Sequence, residues 1–312
     1  MVERKNRYAY FDGRVVPIEE AKINIMTSAL HYGTGVFEGI RGFFTEEEKQ
    51  LYVFRLRDHV ERFFRNQRLL LLDVPESVDA LRAAILELLR RERFAVDIYI
   101  RPLAYKSSEL VGVRLHELES AVAVFAVPFG EYIDRPNGAS VMVSSWRRLS
   151  DNAIPPRNKI SGAYVNSALA KTEASSLGFD DALFLCEDGT VSEASAANLF
   201  LVRDGRLVTP PRTAGILEGI TRATVMDLAG DAGVVVEERP IGRSELYVAD
   251  EILICGTAVG IVAITSVDRR AVGDGRVGAI CRDLRHRYMQ AATGRDPRHR
   301  DWCTPVYTST DN

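Results

Sequence analysis

The sequence predicts a mixed α/β protein of two domains, and three observations carry that expectation. The chain has 312 residues, roughly two domains' worth at about 150 residues each. Strand-like and helix-like patterns occur in both halves, which points to α/β or α+β layers. A Pro- and Gly-containing bridge, Pro128 to Pro136, interrupts them near the middle. The expected organisation is a small domain over 1–130, a linker over 131–138 and a larger domain over 139–312.

The elements follow in chain order. Tyr8–Phe11 and Val15–Ile18 flank Asp12-Gly13, the signature of a hairpin with a two-residue turn. After the glycines 33, 35, 39 and 42 comes a strand, Leu51–Phe54, then a helix over Asp58–Leu71, with Val60, Phe63, Phe64 and Leu70 at helical spacing. Ser77 is a candidate N-cap for a helix that buries Leu81, Ile85, Leu88 and Leu89. Strands over Asp97–Leu103 and Ala121–Val127 complete the first half. In the second half a strand, Ser140–Ser145, precedes a loop with Pro155 and Pro156 and a helix of about Ser161–Leu177. Hairpins turn at Asp188-Gly189 and Asp204-Gly205, and Thr221 is read as the cap of a helix over Arg222–Leu228. A buried strand, Glu251–Cys255, and a helix over Gly278–Ala292 follow.

Composition narrows the function classes. Lysine and arginine total 40 against 43 acidic residues, a net charge of -3, with 46% hydrophobic residues; these are ordinary values for a folded soluble chain and exclude disorder as its main character. A nucleic-acid partner would favour a basic face, yet Arg282–Arg300 is interrupted by Asp283 and Asp296. The longest apolar run, Ala121–Phe129, is too short to span a bilayer, and Met1–Tyr10 holds no apolar signal segment, so no membrane association and a cytoplasmic location are expected. Cys186, Cys255, Cys281 and Cys303 lie far apart, which favours buried thiols over a metal site or disulfide framework.

Four features could carry chemistry. Lys159 sits between a Pro-rich loop and a helix, and Glu193 stands in Val191-Ser192-Glu193-Ala194, where strand alternation would favour an apolar or small residue. Leu217-Glu218-Gly219-Ile220-Thr221-Arg222 leads into a helix whose first N–H groups could hold an anion. Gly256-Thr257-Ala258 is a second small-residue turn of that kind. A lysine for a Schiff base, a carboxylate for a ring nitrogen and donors for one phosphate together match the needs of pyridoxal 5'-phosphate.

The order and spacing of these residues also reproduce a family pattern. Glu193-x-Ser195-x-x-Asn198-Leu199-Phe200, Leu207-x-Thr209 and Leu217-x-Gly219-Ile220-x-Arg222 resemble the long signature of the class IV, or fold type IV, pyridoxal-phosphate aminotransferases. His31 through Arg41, Phe54-Arg55 through Arg62, Tyr99-Ile100-Arg101-Pro102-Leu103 and Ser144-Ser145-Trp146 are similar to the branched-chain amino acid aminotransferases of that class. The resemblance implies a D-amino acid aminotransferase-like fold with the cofactor at the domain interface, in a homodimer or higher homo-oligomer whose partner loop, here Leu110–Val113, closes the pocket.

By the same resemblance Lys159 forms the Schiff base and moves the proton at the substrate α-carbon. Tyr164 bonds the cofactor's phenolic oxygen and Glu193 its ring nitrogen. Arg62, Ile220, Thr221 and Thr257 hold the phosphate, and Leu217 packs on the ring. Tyr32, Phe37, Tyr99 and Tyr132 line an apolar side-chain pocket. Arg101 reaches the distal carboxylate of glutamate, and the Thr257 and Ala258 N–H groups take the α-carboxylate. The implied reaction moves the amino group between leucine, isoleucine or valine and 2-oxoglutarate. A D-amino acid or (R)-amine aminotransferase, an aminodeoxychorismate lyase and a non-catalytic binder are the alternatives; Tyr99 and Arg101 favour the branched-chain reading, and intact Lys159, Tyr164 and Glu193 oppose the binder. Ala197 and Gly260 stand where the branched-chain enzymes usually carry glutamates, which suggests altered packing beside the site and a broader donor range.

Overall fold

This computed structural model describes residues 7–130, 133 and 135–308. The chain divides into two units, one of residues 1–130, 158–162 and 290–312, the other of 131–157 and 163–289. It first changes unit inside the Pro/Gly bridge and later returns twice to the first unit.

In the first unit β1 (Tyr8–Phe11) and β2 (Arg14–Pro17) pair antiparallel. Asp12 and Gly13 between them have φ of 49° and 76°, the left-handed pair that suits a two-residue hairpin. A short helix, α1 (Ser28–Tyr32), precedes β3 (Gly35–Phe37), β4 (Ile40–Thr45) and β5 (Gln50–Phe54). Two of these strands occupy the glycine-rich stretch, and the glycines are there for space. A Cβ on Gly39 would lie 1.8 Å from the Tyr99 hydroxyl, and one on Gly42 would lie 2.8 Å from Ile98.

Helices α2 (Leu56–Gln67) and α3 (Val78–Glu92) follow. Ser77 caps α3 by accepting the Ala80 N–H at 3.2 Å, and Leu81, Ile85, Leu88 and Leu89 are wholly buried. Each such side chain contributes about 1.5–3 kcal/mol relative to an exposed one. Strands β6 (Ile98–Lys106) and β7 (Ser120–Pro128) complete an antiparallel sheet in the order β5-β4-β6-β7-β1-β2, with β3 on β6. Along β6 the alternation buries Ile98, Ile100, Pro102 and Ala104 and turns Tyr99, Arg101 and Leu103 to the opposite face.

The second unit begins with β8 (Ala139–Arg147), α4 (Tyr164–Ser176), β9 (Asp181–Leu185) and β10 (Val191–Ala194). Then come β11 (Asn198–Arg203), β12 (Arg206–Thr209), α5 (Ile220–Asp231), β13 (Val236–Glu238), β14 (Glu251–Gly256), β15 (Gly260–Val267) and β16 (Arg270–Ala271). They form a mixed sheet in the order β10-β9-β8-β15-β14-β11-β12-β13, with β16 on β15. The β8–β9, β8–β15 and β12–β13 pairs are parallel. Helix α4 packs on β8 and β9, and α5 on β13 and β14, so each unit sets helices against a sheet as the α/β expectation requires. After α6 (Ala279–Ala292), the three-residue β17 (Cys303–Pro305) pairs with β5 in the first unit's sheet. The cysteines are free, with Cys255, Cys281 and Cys303 buried and Cys186 half-buried. No helix among the described residues is long and apolar enough to cross a membrane.

Candidate active site

Lys159 is held by the first unit, where residues 158–162 run beside β3. The Phe37 N–H donates to the Lys159 carbonyl at 3.0 Å, Ile160 bridges Val36, and the Gly162 N–H donates to the Gly33 carbonyl at 3.2 Å. Gly33 has φ 65°, and a Cβ there would come within 2.8 Å of Gly162 Cα, so the crossing requires glycine. Asn158 Nδ2 donates to the Asn66 carbonyl at 3.2 Å. Lys159 Nζ lies 4.9 Å from the centroid of the Phe37 ring.

The same ring meets a second cation. Phe37 pairs with Leu103 of β6, and the Arg101 guanidinium carbon is 4.6 Å from the Phe37 centroid. Arg101 Nη2 donates to the Tyr99 hydroxyl at 3.3 Å, whereas its buried Nε has no hydrogen-bond partner. A buried donor left unpaired is costly, and a substrate carboxylate would satisfy it. The Tyr32 hydroxyl accepts the Gly112 N–H at 3.0 Å, which places the loop around Val111 beside Tyr32. The structure thus brings Lys159, Phe37, Tyr99 and Arg101 together; Tyr132 lies outside the described residues.

Arg62, on the buried face of α2, is paired where a plain surface arginine would be solvated. Its Nε and Nη2 donate to the two oxygens of Glu38 at 2.7 and 2.8 Å, and His59 Nδ1 is 2.9 Å from Glu38 Oε2. Burial alone would raise the Glu38 pKa, but the Arg62 charge and the hydrogen bonds from His59 and Arg62 outweigh it and hold the carboxyl well below the usual range. Burial lowers the His59 pKa, against a smaller upward pull from Glu38. Neither Glu38 nor His59 was singled out from the sequence; helical spacing of His59, Arg62 and Asn66 on one face is the signal that could have found His59.

In the second unit Glu193 is 4% exposed on β10. The β9–β10 register shifts between Val191 and Ala194, so a bulge there breaks the alternation that a regular strand would impose on Glu193. Glu193 Oε1 is 2.5 Å from Arg148 Nη2. Its Oε2 accepts from Asn198 Nδ2 at 2.8 Å and from the Leu217 N–H at 3.1 Å. Arg148 lies one residue past β8 and escaped the sequence reading, because Arg147 and Arg148 are adjacent and nothing in the pattern says which turns inward.

Thr221 is not a helix cap, contrary to the sequence expectation. Helix α5 starts at Ile220, with Gly219 as its N-cap and no capping side chain. Thr221 therefore lies in the first turn and is buried. A Cβ on Gly219 would sit 1.9 Å from Asn198 Oδ1, so glycine is needed for the close approach. An uncapped first turn leaves N–H groups available to an anion. Register also brings the second turn near: Asn198 faces Cys255 across β11 and β14, and Thr257-Ala258 follow directly in the β14–β15 turn. Tyr164 is the first residue of α4.

These donor sets fit pyridoxal 5'-phosphate. In the first unit the buried guanidinium of Arg62 is a donor of the kind a phosphate needs; in the second the uncapped start of α5 is another, and the ion-paired Glu193 suits a protonated ring nitrogen. No cluster of His, Cys, Asp and Glu able to hold a metal occurs among the described residues.

Comparison with known proteins agrees with this chemistry. The sequence profile of the class IV amino-transferases matches residues 35–267. A probable branched-chain-amino-acid aminotransferase of Aquifex aeolicus is 45% identical over 301 residues, covering 96% of this chain and 97% of the relative. The crystal structure of a branched-chain aminotransferase from Thermoproteus uzoniensis with norvaline superposes with a TM-score of 0.93 at 42% identity, covering 97% of this chain and 100% of that one. A Thermobaculum terrenum branched-chain amino acid aminotransferase in its PLP form gives 0.94 at 37% identity, covering 98% and 100%.

Proposed function

The chain belongs to the class IV aminotransferases, and from that membership we propose how its residues divide the work of moving an amino group between branched-chain amino acids and 2-oxoglutarate. The observation that carries the branched-chain reading is the match at 45% identity over 301 residues to a probable enzyme of that activity. Bound pyridoxal 5'-phosphate supplies the carbonyl that takes the amino group and the ring that accepts the electron pair when the α-proton leaves.

Lys159 would hold the cofactor through its side-chain nitrogen and would carry the proton to and from the substrate α-carbon, for which its fixed main chain beside β3 is suited. Arg62, Ile220, Thr221 and Thr257 bind the phosphate, and Tyr164 donates to the phenolic oxygen. Glu193 keeps a proton on the ring nitrogen, and Leu217 covers the ring face. Tyr32, Phe37 and Tyr99 wall an apolar pocket that excludes water from the side chain of leucine, isoleucine or valine. Arg101, with its unpaired Nε, takes the distal carboxylate when glutamate or 2-oxoglutarate enters, while the Thr257 and Ala258 N–H groups take the α-carboxylate. One pocket must serve both substrates, because each would meet the same bound cofactor in turn.

The enzyme works as a homodimer in the cytoplasm. Ile25, Leu30, Val111 and Val113 are 79, 60, 80 and 89% exposed, and the Thr27–Glu109 bridge joins their two segments into one face. Such apolar surface marks an interface, and free cysteines suit a reducing compartment. Light scattering of V111D/V113D is expected to show monomer; an unchanged dimer would reject this face.

The activity is tested by following the cofactor absorbance of purified protein while L-leucine, glutamate, D-alanine and (R)-phenylethylamine are added separately. L-Leucine and glutamate convert it to the amino form. Conversion by D-alanine but not L-leucine overturns the branched-chain reading, and K159A indistinguishable from the parent overturns the role of Lys159.

A further inference from the structure

Arg148 has no contact role in the reaction, yet its geometry couples it to the ring nitrogen. Its Nη2 approaches Glu193 Oε1 to 2.5 Å, and both side chains are nearly buried, at 10 and 6% exposed. Its other anchors belong to the scaffold. Nε donates to the Gly215 carbonyl at 2.9 Å, the main-chain N–H to the Leu185 carbonyl at 3.0 Å, and the guanidinium lies 5.6 Å from the Phe184 centroid. Gly215 has φ 63°, and a Cβ on it would stand 3.3 Å from Arg148 Cγ. The arginine is therefore fixed, and the carboxylate is fixed by it.

Asn198 and Leu217 supply neutral donors to the remaining oxygen of Glu193. Arg148 brings a full positive charge to this carboxylate. A contact between a carboxyl group and a ring nitrogen contains one proton that either partner can hold. A cation at close range favours the ionised carboxyl group over its protonated form.

We propose that Arg148 is a positioning residue that decides where this proton resides: it keeps Glu193 ionised, so that the proton stays on the cofactor ring nitrogen. The inference rests on the role of Glu193 given above and extends it to a residue that acts through Glu193. Without Arg148 the same proton would move to Glu193, the nitrogen would become neutral, and the ring would accept the electron pair less well. No proton is gained or lost in the exchange.

The structure also supplies a way to test charge apart from scaffold. Arg148 lines a cavity of about 290 Å³ whose wall includes Cys186, Arg157 and Arg212, and Arg157 and Arg212 are exposed to solvent. The cavity gives a free guanidinium ion access to the place vacated in R148A. The experiment uses holoenzyme loaded with cofactor labelled with 15N in the ring, in the parent, R148A, R148Q, R148K and E193Q, and reads the nitrogen signal directly.

The parent is expected to show a protonated nitrogen. R148A and R148Q shift the signal to the neutral form and slow the L-leucine half-reaction about 10–100-fold, the range typical of outer partners that orient a ligating group. R148K, which keeps the charge, retains the protonated signal. Millimolar guanidinium restores both signal and rate in R148A but leaves the parent unchanged. Should R148A fail to fold, R148Q decides, since its amide still reaches the Gly215 carbonyl without the charge. A protonated nitrogen in R148Q, with E193Q neutral, overturns the role of Arg148 and leaves that of Glu193 standing. A protonated nitrogen in E193Q overturns the reading of Glu193 itself.

Discussion

Arg62 and Glu38 face each other through two parallel hydrogen bonds, Nε to Oε1 at 2.7 Å and Nη2 to Oε2 at 2.8 Å, in a pair that excludes solvent. The arginine proposed to grip the phosphate is thus oriented before any ligand arrives, and pre-organised donors bind without an ordering cost. Removing one partner of such a pair leaves a buried charge without compensation, at a cost of about 3–5 kcal/mol. E38Q is expected to lose stability of that order in urea unfolding and to hold pyridoxal 5'-phosphate more weakly in equilibrium dialysis. Parent-like values in both measurements would show that Arg62 needs no partner.

Acid should weaken the same cluster in two steps of one sign. His59 has its pKa lowered by burial, so the unfolded chain binds its proton more readily and stability declines as pH falls below the ordinary histidine value of about 6.5. Glu38 has its pKa held below the usual range; its stabilisation is complete above about 4.3, the ordinary glutamate value, and is lost on further acidification. Thermal unfolding between pH 8 and 3 is therefore expected to decline first near 6.5. In H59N the first decline shrinks while the second persists. An unchanged upper decline in H59N would assign it to another group.

The face of β6 makes a prediction about substrates. Hydrogen bonds to charged groups contribute about 1.5–3 kcal/mol, so R101L should raise KM for 2-oxoglutarate roughly 10–150-fold and leave the L-leucine half-reaction within a few fold. G39A places a methyl group where the Tyr99 hydroxyl now lies, 1.8 Å away, and must displace that ring. Misplacement of about 1 Å near reacting groups can cost on the order of 100-fold, so kcat/KM should fall for both substrates while the cofactor spectrum stays unchanged. Steady-state kinetics with each substrate separates the two variants; equal losses for both substrates in R101L would deny Arg101 its selective role.

Local rules made parts of this structure legible. Asp12-Gly13 specifies its own turn, Ser77 caps the helix it precedes, and the spacing of Leu81, Ile85, Leu88 and Leu89 marks a buried face because helical contacts repeat within a few residues. The family signature pointed to Lys159 and Glu193, and the buried Glu193 with its three donors fits the ring-nitrogen role. What stayed hidden depends on distant partners. Arg148 is one of two adjacent arginines at a strand end. The β3 and β4 strands looked like a glycine-rich connection because Gly39 and Gly42 make room for Tyr99 and Ile98, whose positions no local pattern reveals. Thr221 looked like a cap because threonine favours that position, whereas Gly219 occupies it.

Strand β17 was equally invisible, since three residues ending in proline show no periodicity and their partner β5 lies near the other end of the sequence. Its continuation is secured by several side chains, Gln50 first among them. Gln50 Oε1 accepts the N–H groups of Val306 and Tyr307 at 3.1 and 2.9 Å, and its Nε2 donates to the Tyr307 carbonyl at 2.8 Å. Arg90 Nε donates to the Val306 carbonyl at 2.8 Å, the Tyr307 hydroxyl to the Phe94 carbonyl at 2.5 Å, and Val306 is wholly buried. These contacts join residues at the end of the described chain to β5, α3 and the turn after it. Q50A removes these three hydrogen bonds, while the Val306 N–H keeps its bond to the Leu51 carbonyl at 3.0 Å; a lost hydrogen bond contributes about 0.5–1.5 kcal/mol. A chain ended after Trp302 additionally uncovers the β5 edge, an invitation to pair with other molecules. Q50A should lower the urea midpoint, the truncated protein should lower it further and aggregate on warming, and a truncated protein with the parent's midpoint would show that the first unit's sheet is complete without its last strand.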